Sequence, residues 1–278
     1  MTKRTRRTDE FEDANYLRTE QYHDGTNLSA RENLHRRFST NRTDWFRWIF
    51  DHLNLPNGSR ILELGCGTGS LWLQNRDRLP ASWKVTLSDF SPGMLAATRE
   101  RLNSISPSLM TRYCVANAQA IPFADSAFDT VIANHMLYHV PDRARAFEEI
   151  CRILRPGGQF YASTNGQQHL QELDALVCTY APHAERENAA VGFGLENGAR
   201  QLRPWFVDVT SIDYPDALEV TEVEPLIDYV LSTRAKKFLD ETRLHYMRQA
   251  VADEIARTGA FRVTKAVGLF SCRIGETH

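Results

Sequence analysis

Three glycines stand at alternate positions in the stretch RILELGCGTGS of residues 60–70: Gly65, Gly67 and Gly69. They follow the short apolar run Ile61, Leu62 and Leu64, and Ser70-Leu71-Trp72-Leu73 after them can open a helix. Strand, glycine turn and helix in that order make the entry of a nucleotide-binding βα unit, where a side chain on the turn would hold the backbone away from a ligand. Two further strand ends carry chemistry. Asp89 closes an apolar run at 83–88 and can accept bonds from both hydroxyls of a ribose. Asn134 and His135 close another at 130–133, ahead of Tyr138 and His139. His135, nearer the strand end, is the preferred candidate base or acceptor contact, and His139 is either catalytic or a brace for its helix. The loop from Asn117 to Phe123 can hold an adenine.

The elements that must position these residues alternate along the chain. Strands are expected at 60–64, 83–88, 112–116, 130–133 and 159–163. Helices are expected from Gly69, at 93–103 after Ser91-Pro92, and at 143–154, where Pro156-Gly157-Gly158 stops the last. Such alternation calls for a parallel sheet with helices on both faces. Two or three helices precede it between Ala14 and Leu53, with Asn27 or Ser29 capping one and Thr43 or Asp44 the next. Trp45, Trp48 and Trp72 are assigned to the core. After Thr164 the pattern loosens. Residues 206–212 and Val220 read as extended, 226–231 and 238–255 as helical. Residues 260–263 and 266–271 are expected to form the last strand, and two late strands can pair antiparallel at the sheet edge.

The bulk numbers narrow the function classes. The chain has 278 residues, a net charge of −2 and 24% charged residues, which argues against a nucleic-acid partner. Lys3, Arg4, Arg6 and Arg7 read as a solvated end. Five cysteines without a CxxC pair suggest neither a disulfide framework nor a zinc site. With no apolar run long enough for a bilayer and no apolar leader, the expectation is a soluble, cytoplasmic protein that does not engage a membrane.

Residues 60–164 resemble the core of class I S-adenosylmethionine-dependent methyltransferases, and are most similar to the small-molecule branch of the ubiquinone and menaquinone C-methyltransferases. The stretches that carry the resemblance are ILELGCGTGS, LSDFSPGML, ANAQAIPF, FDTVIANHMLYHVPD and LRPGGQFY. It implies a Rossmann-like α/β fold, doubly wound, with seven strands that are mostly parallel, the last antiparallel. It also implies S-adenosylmethionine as methyl donor, S-adenosylhomocysteine as product and no metal. Glu63, Gly65, Cys66, Gly67, Gly69 and Asn134 would surround the methionine part. Asp89 would hold the ribose, Phe90 and Met94 would flank the adenine, and Asn117, Ala118 and Gln119 would border its edge. Asn117 stands where the family usually has an aspartate. The text YHDGTNLSARENLHRRFS resembles a lid in one subgroup, in which Tyr22 and Arg31 would approach the cofactor's carboxylate, and Tyr22 also the acceptor.

The residues agree with that donor. A dinucleotide site wants glycine or alanine where Ser70 stands. Glu63 would repel a diphosphate but tolerates a sulfonium or an amino group. The expected organisation is an N-terminal helical arm at 1–55, a cofactor-binding core at 56–164, a cap insertion with a late sheet strand at 165–255, and a final strand at 256–278. The expected function is methyl transfer to a small, largely apolar molecule, quinone-like or a secondary metabolite, on oxygen, nitrogen or carbon. A homo-oligomer through the N-terminal arm stays open. The rivals are a nicotinamide-dependent oxidoreductase and a non-catalytic binding protein of the same fold.

Overall fold

The computed structural model describes residues 26–103, 110–184 and 189–275. Its strands are β1 (Arg60–Leu64), β2 (Lys84–Asp89), β3 (Met110–Val115), β4 (Phe128–Asn134), β5 (Leu154–Asn165), β6 (Val207–Asp213), β7 (Ala217–Val220), β8 (Phe261–Thr264) and β9 (Val267–Arg273). Seven of them make one sheet in the order β3-β2-β1-β4-β5-β9-β6. β9 runs antiparallel to both β5 and β6, and the pairs from β3 through β5 are parallel. This is the doubly wound α/β architecture that the alternation of elements implied. The order reverses at β1, whose neighbours are β2 on one side and β4 on the other, so a crevice opens beyond the carboxyl ends of β1 and β4.

The helices are α1 (Thr26–Phe38), α2 (Trp45–Asp51), α3 (Ser70–Gln74), α4 (Pro92–Asn103), α5 (Arg143–Ile153), α6 (Gln171–Tyr180), α7 (Gly198–Leu202), α8 (Val223–Leu231) and α9 (Glu241–Thr258). α1 begins ahead of the caps expected at Asn27 and Ser29, whereas Asp44 caps α2 by accepting from Phe46 N at 2.9 Å and Arg47 N at 3.3 Å. α3 is short for a physical reason. Asn75, wholly buried, donates through Nδ2 to Leu71 O at 2.8 Å and Phe46 O at 3.1 Å, so a side chain competes for the helix carbonyls and fixes α2 to α3.

Two expected boundaries shift. The fifth strand starts at Leu154 and not at 159, because the chain turns extended as soon as α5 ends and Leu154 pairs with Phe128 before a register shift. Residues 260–271 do not form one strand. The run breaks at Lys265-Ala266: β9 enters the main sheet, while β8 pairs antiparallel with β7 in a separate two-stranded sheet.

That small sheet has its own core. Leu218 and Val263 from its strands, Leu34 and Phe38 from α1, Leu173 from α6, Leu226 and Ile227 from α8, and Met247 and Val251 from α9 are buried together. The N-terminal arm is therefore divided. α1 belongs to this cap, tied by a bridge between Ser39 and Leu218. α2 belongs to the main sheet, with Ile49 and Phe50 among Ile61, Leu71, Trp72 and Leu87.

Candidate functional site

A cavity of about 880 Å³ occupies the crevice and continues under the cap. The glycine turn forms its floor. Gly65, Gly67 and Gly69 all have positive φ, +68°, +55° and +75°, a region that side chains disfavour. A Cβ on Gly65 would stand 2.8 Å from Met136 Cβ, and one on Gly69 2.8 Å from Thr98 Cγ2. Two of the three glycines thus answer to close packing against neighbouring protein, beyond any approach to a ligand.

At the end of β2, Asp89 accepts from Gly67 N at 3.0 Å and from Ser91 N at 2.8 Å. Burial pushes its carboxyl up to about 6, against the pull of those backbone donors. Beside it Phe90 exposes 38% of its surface, an open aromatic face bordered by Met94 and Ala118, both buried. Gln119 is held by its own bonds: its backbone N–H donates to Asn117 Oδ1 at 2.9 Å, and its Oε1 accepts from Asp142 N at 2.9 Å.

Deeper in, Glu63 is 2% exposed. Its carboxylate accepts from Trp72 Nε1 at 2.6 Å and Asn134 Nδ2 at 3.0 Å, while Asn134 Oδ1 accepts from Ser163 Oγ at 3.0 Å. Burial raises Glu63 to about 7, with the two donors working against the rise. Cys66 also lines the cavity, and burial followed by Asp89 and Glu63 raises its thiol well above the usual value, so it stays protonated. Every residue expected around the cofactor from Glu63 to Asn134, Gly69 apart, lines this one cavity; Gly69 sits directly behind it, packed on α4.

Arg31 borders the cavity, and its guanidinium also bonds Ser232. Nε donates to Ser232 Oγ at 3.1 Å and Nη2 to Ser232 O at 2.7 Å, at the end of α8. The neighbouring Glu32 reaches the glycine turn, accepting from Ser70 Oγ at 2.8 Å and Thr68 Oγ1 at 3.2 Å. Tyr22 lies outside the described residues.

The far end of the cavity is walled by rings. His135 sits at φ +48° after β4, a conformation rare for a side chain with a Cβ, and its N–H donates to Ser163 O at 3.1 Å. Trp45 stands 5.4 Å from the His135 ring and 5.1 Å from Tyr214, centroid to centroid. His35 of α1 stacks on His169 at 6.1 Å and meets Tyr229 edge-on at 5.9 Å. Lys265, from the break between β8 and β9, places its ammonium 5.2 Å over the Tyr214 ring and pairs with buried Asp216. Burial, then Lys265, lowers His135 to about 4, and burial is also the first cause at His35 and His169, both held well below the ordinary value. All three imidazoles are therefore neutral at pH 7. His139 and Tyr138 also line the cavity, their rings 4.6 Å apart.

Sequence reading missed His35, His169, Tyr214 and Lys265, and placed Trp45 in the core. Only the Lys265-Ala266 interruption of an alternating run carried a signal. Trp72, by contrast, is fully buried and also serves as a donor to Glu63. Among the described residues no group of three or more His, Cys, Asp or Glu is arranged to hold a metal ion, and no helix is long and apolar enough to cross a membrane.

The stretch of chain that forms this crevice is similar to known proteins. A family described as Methyltransferase domain covers residues 62–162. The ubiquinone/menaquinone biosynthesis C-methyltransferase UbiE of Cronobacter sakazakii is 31% identical over 139 residues, 50% of this chain and 55% of that enzyme. The chain thus spans about half the length of the curated relatives it matches. Phosphoethanolamine N-methyltransferase 2 of Haemonchus contortus, in complex with S-adenosyl-L-methionine, shares the fold over 95% of this chain and 60% of that one, with a TM-score of 0.58 and 18% identity. The [4+2]-cyclase SpnF shares it over 86% of each chain, with a TM-score of 0.52 and 18% identity. Residues 62–162, which hold the glycine turn and Asp89, match the methyltransferase-domain family and are similar in sequence to the ubiquinone and menaquinone C-methyltransferases.

Proposed function

We propose that the chain is an S-adenosylmethionine-dependent methyltransferase that acts on a small molecule and releases S-adenosylhomocysteine. The observation that carries this reading is the pairing of Asp89 with the open face of Phe90 at one end of a cavity whose inner part holds a second carboxylate, Glu63. A diphosphate would meet two buried carboxylates there, whereas an adenosyl group bearing cationic sulfur and an amino group is complementary to them.

In this reading Asp89 takes the ribose hydroxyls on the lone pairs that Gly67 N and Ser91 N leave open. Phe90, Met94 and Ala118 sandwich the adenine, with Asn117 and Gln119 at its edge. Glu63, held by Trp72 and Asn134, supplies negative charge next to the amino-acid part, bordered by Gly65, Cys66, Gly67 and Asn134, with Gly69 fixing the turn behind them. When bound, the cofactor brings a methyl group already activated on sulfur. The chain's own contribution is alignment, which can be worth on the order of 7–11 kcal/mol. His135 and His139 line the same cavity and would contact the acceptor. The cap and α1 exclude water there.

Titration with S-adenosylhomocysteine in a calorimeter tests the reading. Binding in the micromolar range is expected. The absence of heat at millimolar ligand rejects it.

A further inference from the structure

The cap end of the cavity is far richer in unmet polar groups than a purely apolar acceptor requires. Neither ring nitrogen of His35 or His135 takes part in a hydrogen bond among the described residues, and Nδ1 of His35 and Nε1 of Trp45 are fully enclosed without a partner. Among the described residues the His169 ring has one bond: Nδ1 accepts from Ala266 N at 3.3 Å. Since the ring is neutral, its proton lies on Nε2, which makes that atom a donor. Enclosed polar groups left without partners are costly, and a site that gathers several of them is built for something that supplies the partners.

The charge at this end has a definite sign. The Lys265 side chain is 5% exposed, and its ammonium acts on all three imidazoles; among the described residues no carboxylate acts on any of them. Its counter-ion Asp216 has a wholly buried side chain and does not line the cavity. Asp216 accepts from Asn41 N at 2.9 Å, Ala217 N at 2.8 Å and Thr40 Oγ1 at 3.2 Å, as well as from Ser39 and Lys265. Asp44 also lines the cavity and acts on Lys265, its Oδ1 accepting from the N–H groups at the start of α2. A protonated amine would meet the Lys265 ammonium and imidazoles that offer it no charge, whereas an anionic oxygen meets imidazole donors and that ammonium. The walls, Trp45 and Tyr214, are flat.

We propose that this end receives the methyl acceptor through an oxyanion carried on a flat ring, an aromatic carboxylate or an ionised ring hydroxyl, seated among His35, His135 and His169 with the Lys265 ammonium behind it. The proposal rests on the methyltransferase reading and names the acceptor class for the same cavity. His35, His169 and Lys265 then determine specificity, the first two from elements of the cap and the third from the break that joins the cap to the main sheet.

The test uses the full chain saturated with S-adenosylhomocysteine and four probes: benzoate, 4-nitrophenolate, benzamide and benzylammonium. At least one of the two anions is expected to bind about tenfold or more tightly than benzamide and benzylammonium. Ring signals of His35 and His169 in nitrogen–proton NMR spectra move with the bound anion. Whether benzoate or 4-nitrophenolate binds more tightly tells a carboxylate from an ionised hydroxyl. The pair Lys265→Met with Asp216→Asn, which leaves no buried charge unpaired, abolishes the preference, and His169→Phe weakens it independently. Both variants keep the affinity for S-adenosylhomocysteine. Equal or tighter binding of benzamide or benzylammonium overturns the proposal. So does anion binding that survives both variants, or no anion heat at millimolar concentration. A failure of S-adenosylhomocysteine to bind the unsubstituted chain rejects the methyltransferase reading itself. Equal probe affinities with S-adenosylhomocysteine bound reject only the oxyanion.

Discussion

The two ends of the cavity are finished to different degrees. At the sheet end each polar group has its partners before any ligand arrives: Asp89 with two backbone N–H groups, Glu63 with an indole and an amide, Asn134 with Ser163. At the cap end His35 and Trp45 keep enclosed nitrogens without partners. The first end is rigid and suited to one invariable ligand. The second leaves its hydrogen bonds to be completed by the molecule that enters, and so decides which molecule that is.

Substitutions can break this contrast, beginning with the largest effect. Asp89→Ala is expected to lower affinity for S-adenosylhomocysteine on the order of 100-fold or more, since each hydrogen bond to a charged group is worth about 1.5–3 kcal/mol. Unchanged heats in that variant would remove the ribose from β2. Next comes the rigidity of the turn. Gly69→Ala should lose about 2–4 kcal/mol of stability in urea unfolding, combining left-handed strain with overpacking on Thr98. Gly157→Ala is the control. It has φ +72° but nothing within 4 Å of the added Cβ, so about 1–2 kcal/mol is expected.

A smaller effect comes from pH. Glu63 and Asp89 have folded values of about 7 and about 6, so both are increasingly ionised as pH rises through that window. Affinity for cationic S-adenosylmethionine should therefore grow with pH, by up to roughly tenfold for each carboxylate that a rise of one pH unit ionises, and affinity for S-adenosylhomocysteine, which lacks the sulfonium charge, by less. Calorimetry on both ligands across the window reads the difference, and Glu63→Gln should flatten its upper part. Stability of the ligand-free chain runs in two directions. The raised Glu63 contributes fully below its unfolded value of 4.5, and that contribution is lost as pH rises through about 7. The lowered His135 contributes above its unfolded value of 6.5, and that contribution is lost as pH falls through about 4.

The smallest change expected is in Arg31→Ala. Two bonds to Ser232 are lost, costing about 1–2 kcal/mol of stability, with little change in S-adenosylhomocysteine affinity. A large loss of affinity would instead return Arg31 to the cofactor's carboxylate.

The sheet end was legible in the sequence because its parts are local. Strand, glycine turn and the acid at the end of the next strand fall within residues 60–89, and the hydrophobic pattern of each strand fixes where its carboxyl end must lie. The lid was legible only in part. Helical periodicity located α1 and α2, yet periodicity says which face is buried and not against what. α1 turned to the small sheet and α2 to the large one. Arg31 borders the cavity and also bonds a helix end, while Glu32, which carried no motif, reaches the turn.

By itself the sequence determined the parallel sheet, the turn, and the positions of Glu63, Asp89 and Asn134 at strand ends, since short-range pattern and backbone stereochemistry suffice for these. Only the tertiary structure decided the cap end. His35, His135, His169 and Lys265 come from four distant segments; the strand end marks His135 and the broken alternation marks Lys265, but nothing local marks His35 or His169 or says that the four meet. They share a surface because β8 and β9 part at Lys265 and the small sheet folds α1 over the crevice, burying apolar faces that the main sheet could not cover.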